Sequence, residues 1–421
     1  VNAPAAELSA ALAGLLTDLR SPALGPRTAA EDRQHLAYGL PGIALLHIER
    51  AAAGLAPWSI AHDWLTAAVG QPFTVGPDSH PFYGGPALAH AVACAGDHMP
   101  GAYAGALAVL DRRIVKDTHR RLTNAHDRLD AGRLPVMAEY DTIRGLAGYG
   151  AYLLRRDPGS TDVRAVLGYC VRLTDTLDHD GYPVPGWWTT TPPTARPDHR
   201  FAGGHANTGL SHGISGVLAL LALAARHKTV VGGHHDAIRT ILAWLDRWQE
   251  NTATGPAWPH WVTRDELRTG LPARSAPRRP SWCYGTAGVA RAQQLAALAL
   301  GDPGRQLDAE KALIGALTDS AQLKATTDNG LCHGFTGLAH VAGRTAQDAH
   351  PSTAGQIRAL IPALLAAVCP PGADPADLAQ RTVEEAGSGF LDGAAGIALA
   401  LLAPATGAPP RTSWDACLLT A

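Results

Sequence analysis

The sequence has no long apolar run: its longest, residues 217–225, falls well short of the roughly 20 residues that cross a bilayer. That excludes an integral helical membrane protein. Blocks of basic residues are missing too, and the formal charge of -2 argues against a partner with a phosphate backbone, so no nucleic acid is expected. Residues 1–16 show no basic start followed by an apolar stretch, and hence no secretory signal. Cysteine is scarce, with six in 421 residues. Cys94, Cys170, Cys369 and Cys417 are scattered through apolar helical segments and read as buried free thiols, which suits a reducing compartment. The expectation is a cytoplasmic protein.

What the chain does have is hydrophobic residues, 46 % against 17 % charged, enough for a large buried core. It also has a repeat. A Gly-x-x-Gly turn followed at once by a helix of small residues and Leu occurs at 39–42, 145–148, 213–216, 285–288, 334–337 and 393–396, with a degenerate copy at 84–87. Spacings of about 45 to 72 residues leave room for a second, amphipathic helix in each unit, such as 237–249 or 354–368. The glycine-led helices are almost uncharged, as helices buried on all sides must be. Seven inner and seven outer helices closing into a ring satisfy this pattern, so the expected fold is an all-α, α/α toroid forming a single domain over 1–421. The glycines are expected to supply positive φ and close approach between helix N-termini. All the turns should then face one end of the ring, around a central cavity lined by positive helix ends.

Two stretches break the helical rhythm. Residues 178–206 and 252–280 are rich in Pro, Gly, Trp and Thr and read as loops and short strands, a small β-containing extension near the rim. Trp187, Trp188, Trp258 and Trp261 are packing or peptide-contact groups there, with packing the more frequent role of any one Trp.

The chemistry is concentrated at the turns. Cys283 lies two residues before Gly285, Cys332 two before Gly334, and His333 directly before Gly334, so equivalent turns of successive units present two sulfurs and an imidazole together. Soft ligands of this kind favour zinc, and three protein ligands leave a fourth position open for a substrate thiol. His212 leads the turn 213–216 and suits proton movement near neutrality, or is a helix-terminal histidine bonded to backbone. Asp141, four residues before Gly145, either orients His212, takes a proton, or caps its helix. Arg279 could hold an oxyanion and Tyr284 could hydrogen-bond a reacting group, roles that spacing alone ranks low. Asp392 also sits at a turn.

The segments Trp-Cys-Tyr-Gly-Thr-Ala-Gly (282–288), Cys-His-Gly-Phe-Thr-Gly (332–337), Leu-Ser-His-Gly-Ile-Ser-Gly (210–216) and Phe-Leu-Asp-Gly-Ala-Ala-Gly (390–396) resemble those of the lanthipeptide synthetase cyclases, the LanC-like family. The resemblance runs from Gly39 to the end. It implies an α/α toroid with a zinc site formed by Cys283, Cys332 and His333. His212 and Asp141 match acid/base positions, and Arg279 and Tyr284 match supporting positions. The implied reaction is addition of a peptide cysteine thiol to dehydroalanine or dehydrobutyrine, giving (methyl)lanthionine thioether rings in a dehydrated precursor peptide that carries a leader. No dehydratase or kinase-like region precedes the toroid, so a separate dehydratase, and with it a transporter, are the expected partners. Rival readings are a LanC-like protein that adds glutathione to dehydroamino acids and a non-catalytic peptide-binding scaffold. A zinc prenyltransferase, which would add an Asp ligand, and a toroidal glycosidase, which needs a carboxylate pair, are weaker rivals.

Overall fold

The computed structural model describes residues 2–19, 32–70, 73–194, 196–272 and 278–421. Parts of the two irregular stretches, 195 and 273–277, therefore lie outside the described residues. In chain order, helix α1 spans Ala3–Leu15, α2 Leu40–Ala52, α3 Trp58–Val69, α4 Gly85–Gly96 and α5 Ala104–Asp130. A short α6, Met137–Tyr140, precedes α7, Leu146–Arg156, and α8, Thr161–Arg172. Then come α9 at Ile214–Arg226, α10 at His234–Arg247 and α11 at Arg264–Thr269. The last third holds α12, Thr286–Leu300, α13, Pro303–Thr318, α14, Ser320–Lys324, α15, Phe335–Asp348, α16, Pro351–Val368, α17, Pro375–Ala386, and α18, Ala394–Thr406.

The seven glycine-led helices, α2, α4, α7, α9, α12, α15 and α18, are the inner ones. Each touches the next and α18 touches α2, so the ring closes. Six of them pack against the helix that follows in sequence: α3, α5, α8, α10, α13 and α16. The seventh, α18, has no such successor and packs instead on α1, which closes the outer layer with the first helix of the chain; α17 lies against α1 as an additional outer element. The toroid is as expected. Burial follows composition: Leu218, Ala219, Leu220 and Leu221 of α9 are all fully buried, whereas α10 alternates buried Ile238, Ile241 and Leu245 with exposed charge.

The turns hold one another by backbone hydrogen bonds running round one face. Cys332 N donates to Leu391 O (2.8 Å), Leu391 N to Ala37 O (2.9 Å), and Leu36 N to Phe82 O (2.8 Å). On the other side Thr142 N donates to Ser211 O (3.0 Å), Leu210 N to Cys283 O (3.0 Å), and Cys283 N to Cys332 O (3.2 Å). His80 Nδ1, 3.1 Å from Ile143 O, completes the circuit through a side chain. This face is the mouth of the ring, and it carries every inner-helix N-terminus.

The glycine expectation needs correction. Positive φ occurs at Gly84 (73°) and Gly285 (139°), but Gly39, Gly145, Gly213, Gly334 and Gly393 have φ between -126° and -100°, open to any residue. Close approach explains the rest. A Cβ on Gly42, Gly148, Gly216, Gly288, Gly337 or Gly396 would overlap the backbone carbonyl of the residue six earlier.

The central cavity also differs from expectation. Residues 411–420 run along the inside of the ring: Thr412 bonds Glu49 of α2, Trp414 O is 2.9 Å from His90 Nε2 of α4, Asp415 meets His340 and Arg344 of α15, and Thr420 O accepts from Arg291 of α12. Only a segment lying along the axis reaches all these helices. The interior beneath the mouth is thus packed with protein.

The irregular stretches form three two-stranded antiparallel sheets: the hairpin β1 (Thr176–His179) with β2 (Tyr182–Pro185), β3 (His205–Asn207) with β6 (Trp261–Thr263), and the hairpin β4 (Glu250–Thr252) with β5 (Gly255–Ala257). Trp187, Trp188 and Trp258 are buried and serve packing. No helix among the described residues is long and apolar enough to cross a membrane.

Candidate metal centre and acid-base pair

Two neighbouring turns of the mouth bring Cys283, Cys332 and His333 together, with one donor atom from each lying within 4.8 Å of the others. The Cys283–Cys332 backbone bond sets this proximity, because it fixes the two turns side by side. Two sulfurs and an imidazole are a borderline-soft donor set that fits zinc, and the mouth leaves an approach from outside the ring. The coupled thiols share their protons unequally. The Cys332 thiol beside it holds Cys283 well below the ordinary thiol range against the effect of burial, with His333 and Ser281 helping. Cys332 is pushed up by Cys283 and by burial, and the Arg279 charge opposes this. The remaining cysteines are different. Burial pushes Cys94 and Cys170 up to about 12 and Cys369 up to about 11, which makes them inert.

Asp141 and His212 occupy the adjoining pair of turns. His212 Nδ1 lies 2.6 Å from Asp141 Oδ2, and Oδ1 of the same carboxylate accepts from Arg144 N (2.6 Å) and Gly145 N (2.9 Å). Of the three readings the sequence leaves open, the contact with His212 is present on one oxygen, while the other oxygen binds backbone N–H groups ahead of α7 without capping it, the N-cap being Gly145. Asp141 is almost fully buried while the His212 side chain is 34 % exposed, so the dyad presents only its imidazole to the mouth.

Tyr284 lies between dyad and cysteines. Its ring centroid is 6.1 Å from that of His212, and its hydroxyl accepts from Asn207 Nδ2 at 3.1 Å. Burial pushes its phenol up, so it remains a donor. The β3–β6 sheet secures this arrangement: His260 and Trp261 pack against the Tyr284 ring, and Thr208 N donates to His260 O. Arg279, half-buried on the segment before Cys283, acts by charge on Cys332, His333 and Asp392.

All eight residues singled out at the turns in the sequence, Asp392 included, thus lie on one arc of the mouth. Sequence reasoning missed Asn207, Ser281, His260 and Asp328. Ser281 Oγ is 3.5 Å from Cys283 Sγ, and Asp328 Oδ2 is 3.3 Å from His333 Nε2. Asp328-Asn329-Gly330 has the composition of a turn, but nothing in the one-dimensional pattern marks its contact with the imidazole. A cleft of about 610 Å³ between α10, β5 and α13, lined by Asp246, Gln249, Trp258 and Arg305, contains none of the site residues.

A family model described as lanthionine synthetase C-like protein matches residues 31–419. The nisin biosynthesis protein NisC of Lactococcus lactis subsp. lactis is 26 % identical over 205 residues, covering 48 % of this chain and 48 % of that protein, so the match spans about half the length of this curated relative. The solved structure of nisin cyclase superposes with a TM-score of 0.76 over 93 % of each chain at 21 % identity, a likeness of fold.

Proposed function

Since the chain belongs to the lanthionine synthetase C-like family, we propose that it is a zinc-dependent cyclase that closes thioether rings in a dehydrated precursor peptide. The observation that carries this reading is the placement of Cys283, Cys332 and His333 beside the Asp141–His212 dyad on consecutive turns of one mouth. A biosynthetic relative and a cyclase of the same fold support the substrate class.

A zinc ion held by Cys283, Cys332 and His333 would supply positive charge that keeps a cysteine thiol of the peptide ionised at neutral pH. In the addition, the peptide thiol gives up its proton, its sulfur bonds to the β-carbon of a dehydroalanine or dehydrobutyrine, and the carbon–carbon π pair moves toward the α-carbon and carbonyl oxygen. Asp141 fixes the His212 proton on Nδ1, which leaves Nε2 to accept a proton and later return one to the α-carbon. Tyr284, a protonated phenol, and Arg279 are the donors available to a developing enolate oxygen. A dehydratase that supplies the substrate is the partner this chemistry requires.

Incubation of the purified protein and zinc with a dehydrated cysteine-containing peptide, followed by alkylation and mass spectrometry, should show thiols disappearing without change of peptide mass. Cys283→Ala should bind no zinc and leave the thiols alkylatable. Thiols untouched by wild type across several candidate precursors would leave a peptide-binding scaffold as the better reading, and peptide thiols left free while the peptide gains the mass of glutathione at its dehydrated residues would point to the adduct-forming reaction.

A further inference from the structure

Two carboxylates flank the His333 ring. Asp328 Oδ2 is 3.3 Å from Nε2, and Asp392 Oδ1 is 3.5 Å from Nδ1. They are anchored differently. Asp328 belongs to the same loop as Cys332 and His333 and clamps both of its ends: Oδ1 accepts from Gly330 N (2.9 Å), while its backbone carbonyl accepts from Phe335 N (3.1 Å) at the start of α15. Its carboxylate also packs on Gly334, where a Cβ would come within 2.5 Å of Oδ1. With Oδ1 held in this way, Oδ2 faces the imidazole. Asp392 comes from a different turn, and its side chain is 60 % exposed against 35 % for Asp328.

We propose that Asp328 is the positioning residue of the metal centre, taking the Nε2 proton side of His333 so that the ring is held in one orientation with Nδ1 as the metal donor. This rests on the zinc reading above. The physical basis is that a neutral imidazole carries one N–H and one lone pair, so whichever nitrogen faces a fixed carboxylate keeps the proton and the other is left to ligate. A carboxylate in that position also raises the donor strength of the ring and removes the entropy of orienting it when metal arrives. The Asp-Asn-Gly turn adds rigidity, since the same side chain that faces His333 ties down the backbone leading to Cys332. One aspartate thereby presets two ligands.

The test separates the carboxylate from the turn. Asn at 328 still offers an oxygen to Gly330 N but puts no negative charge beside the imidazole. Zinc affinity of the purified full-length chain, measured by competition with a chromophoric chelator, should be about 10- to 100-fold weaker in Asp328→Asn than in wild type. The melting temperature of the metal-free variant should match that of wild type, and Asp392→Asn should stay within about threefold of wild-type affinity. Cobalt(II) substitution adds a readout independent of turnover: the visible bands of a two-sulfur site should persist in Asp328→Asn at saturating metal, reached at higher cobalt concentration. Wild-type affinity in Asp328→Asn overturns the inference while leaving the zinc reading intact. So does a tenfold loss confined to Asp392→Asn, or a weaker affinity accompanied by a collapsed melting temperature. A wild-type chain that binds no zinc overturns both.

Discussion

Asp141 divides its carboxylate between backbone and histidine, and this division makes its role measurable. Replacement by Asn keeps an oxygen for Arg144 N and Gly145 N, so the turn survives, but an amide facing His212 Nδ1 favours the opposite tautomer and misplaces the proton. Asp141→Asn and His212→Asn should each retain zinc and slow cyclisation by about 10²-fold or more. Because the two residues act as one unit, the double variant should be no more than a few-fold slower than the worse single one. Losses that multiply in single-turnover assays would show independent action and dissolve the dyad. At this scale the sequence was legible where a side chain carries its own chemical signature, as Cys283, Cys332, His333 and His212 do. It was silent on Asn207, at the end of strand β3, and on Asp328, in the loop before Cys332, whose significance comes from what the folded chain places opposite them.

The element that builds the mouth is the glycine turn, and its requirement is space rather than unusual dihedral angles. The repeat was readable because six turns keep the same two glycines; its physical reason was not, since a one-dimensional pattern cannot distinguish a positive φ from a carbonyl six residues back pressed against the Cα. The distinction has a consequence for mutation. At Gly216 a Cβ would meet Leu210 O at 2.5 Å and overlap Thr142 Oγ1, which itself donates to Leu210 O and joins the Asp141 turn to the His212 turn. Gly216→Ala should therefore destabilise by about 1–3 kcal/mol, as overpacking does, and disturb the dyad while the cysteines stay in place. Urea midpoints together with zinc content check this. The contrasting substitution is Gly343→Ala in α15, where nothing lies within 4 Å of the added methyl. Helix propensity predicts a gain of roughly 0.5–1 kcal/mol there. Equal effects at the two positions would mean that close packing at the turns is not what selects glycine.

At the scale of the whole molecule the ring is closed by the parts of the chain that the repeat does not include. Seven units could be counted in the sequence, yet the pairing of α1 with α18 and the course of residues 411–420 through the interior could not, because neither segment repeats. Two histidines fasten these segments: His47 Nε2 lies 2.9 Å from Leu16 O at the end of α1, and His90 Nε2 lies 2.9 Å from Trp414 O. Burial pulls both imidazoles down to about 4, with the neighbouring Arg50 charge at His47 and Arg155 charge at His90 acting the same way. The neutral form is thus the one that folds. In the unfolded chain each titrates near 6.5, so between about pH 6.5 and 4 the unfolded state binds more protons than the native state, and stability must rise with pH across that window. Their contribution is complete above pH 6.5 and is lost as pH falls toward 4, at about 1.4 kcal/mol per pH unit for each histidine. His205 and His260, also pulled down to about 4 by desolvation, add in the same direction. Denaturant unfolding at a series of pH values should accordingly show stability falling below pH 6.5, before most carboxylates begin to protonate. His90→Gln can still donate to Trp414 O and should lower the slope near pH 5 by about one proton. An unchanged slope in that variant would show that His90 is protonated in the folded ring, and that the axial segment is held without a neutral imidazole.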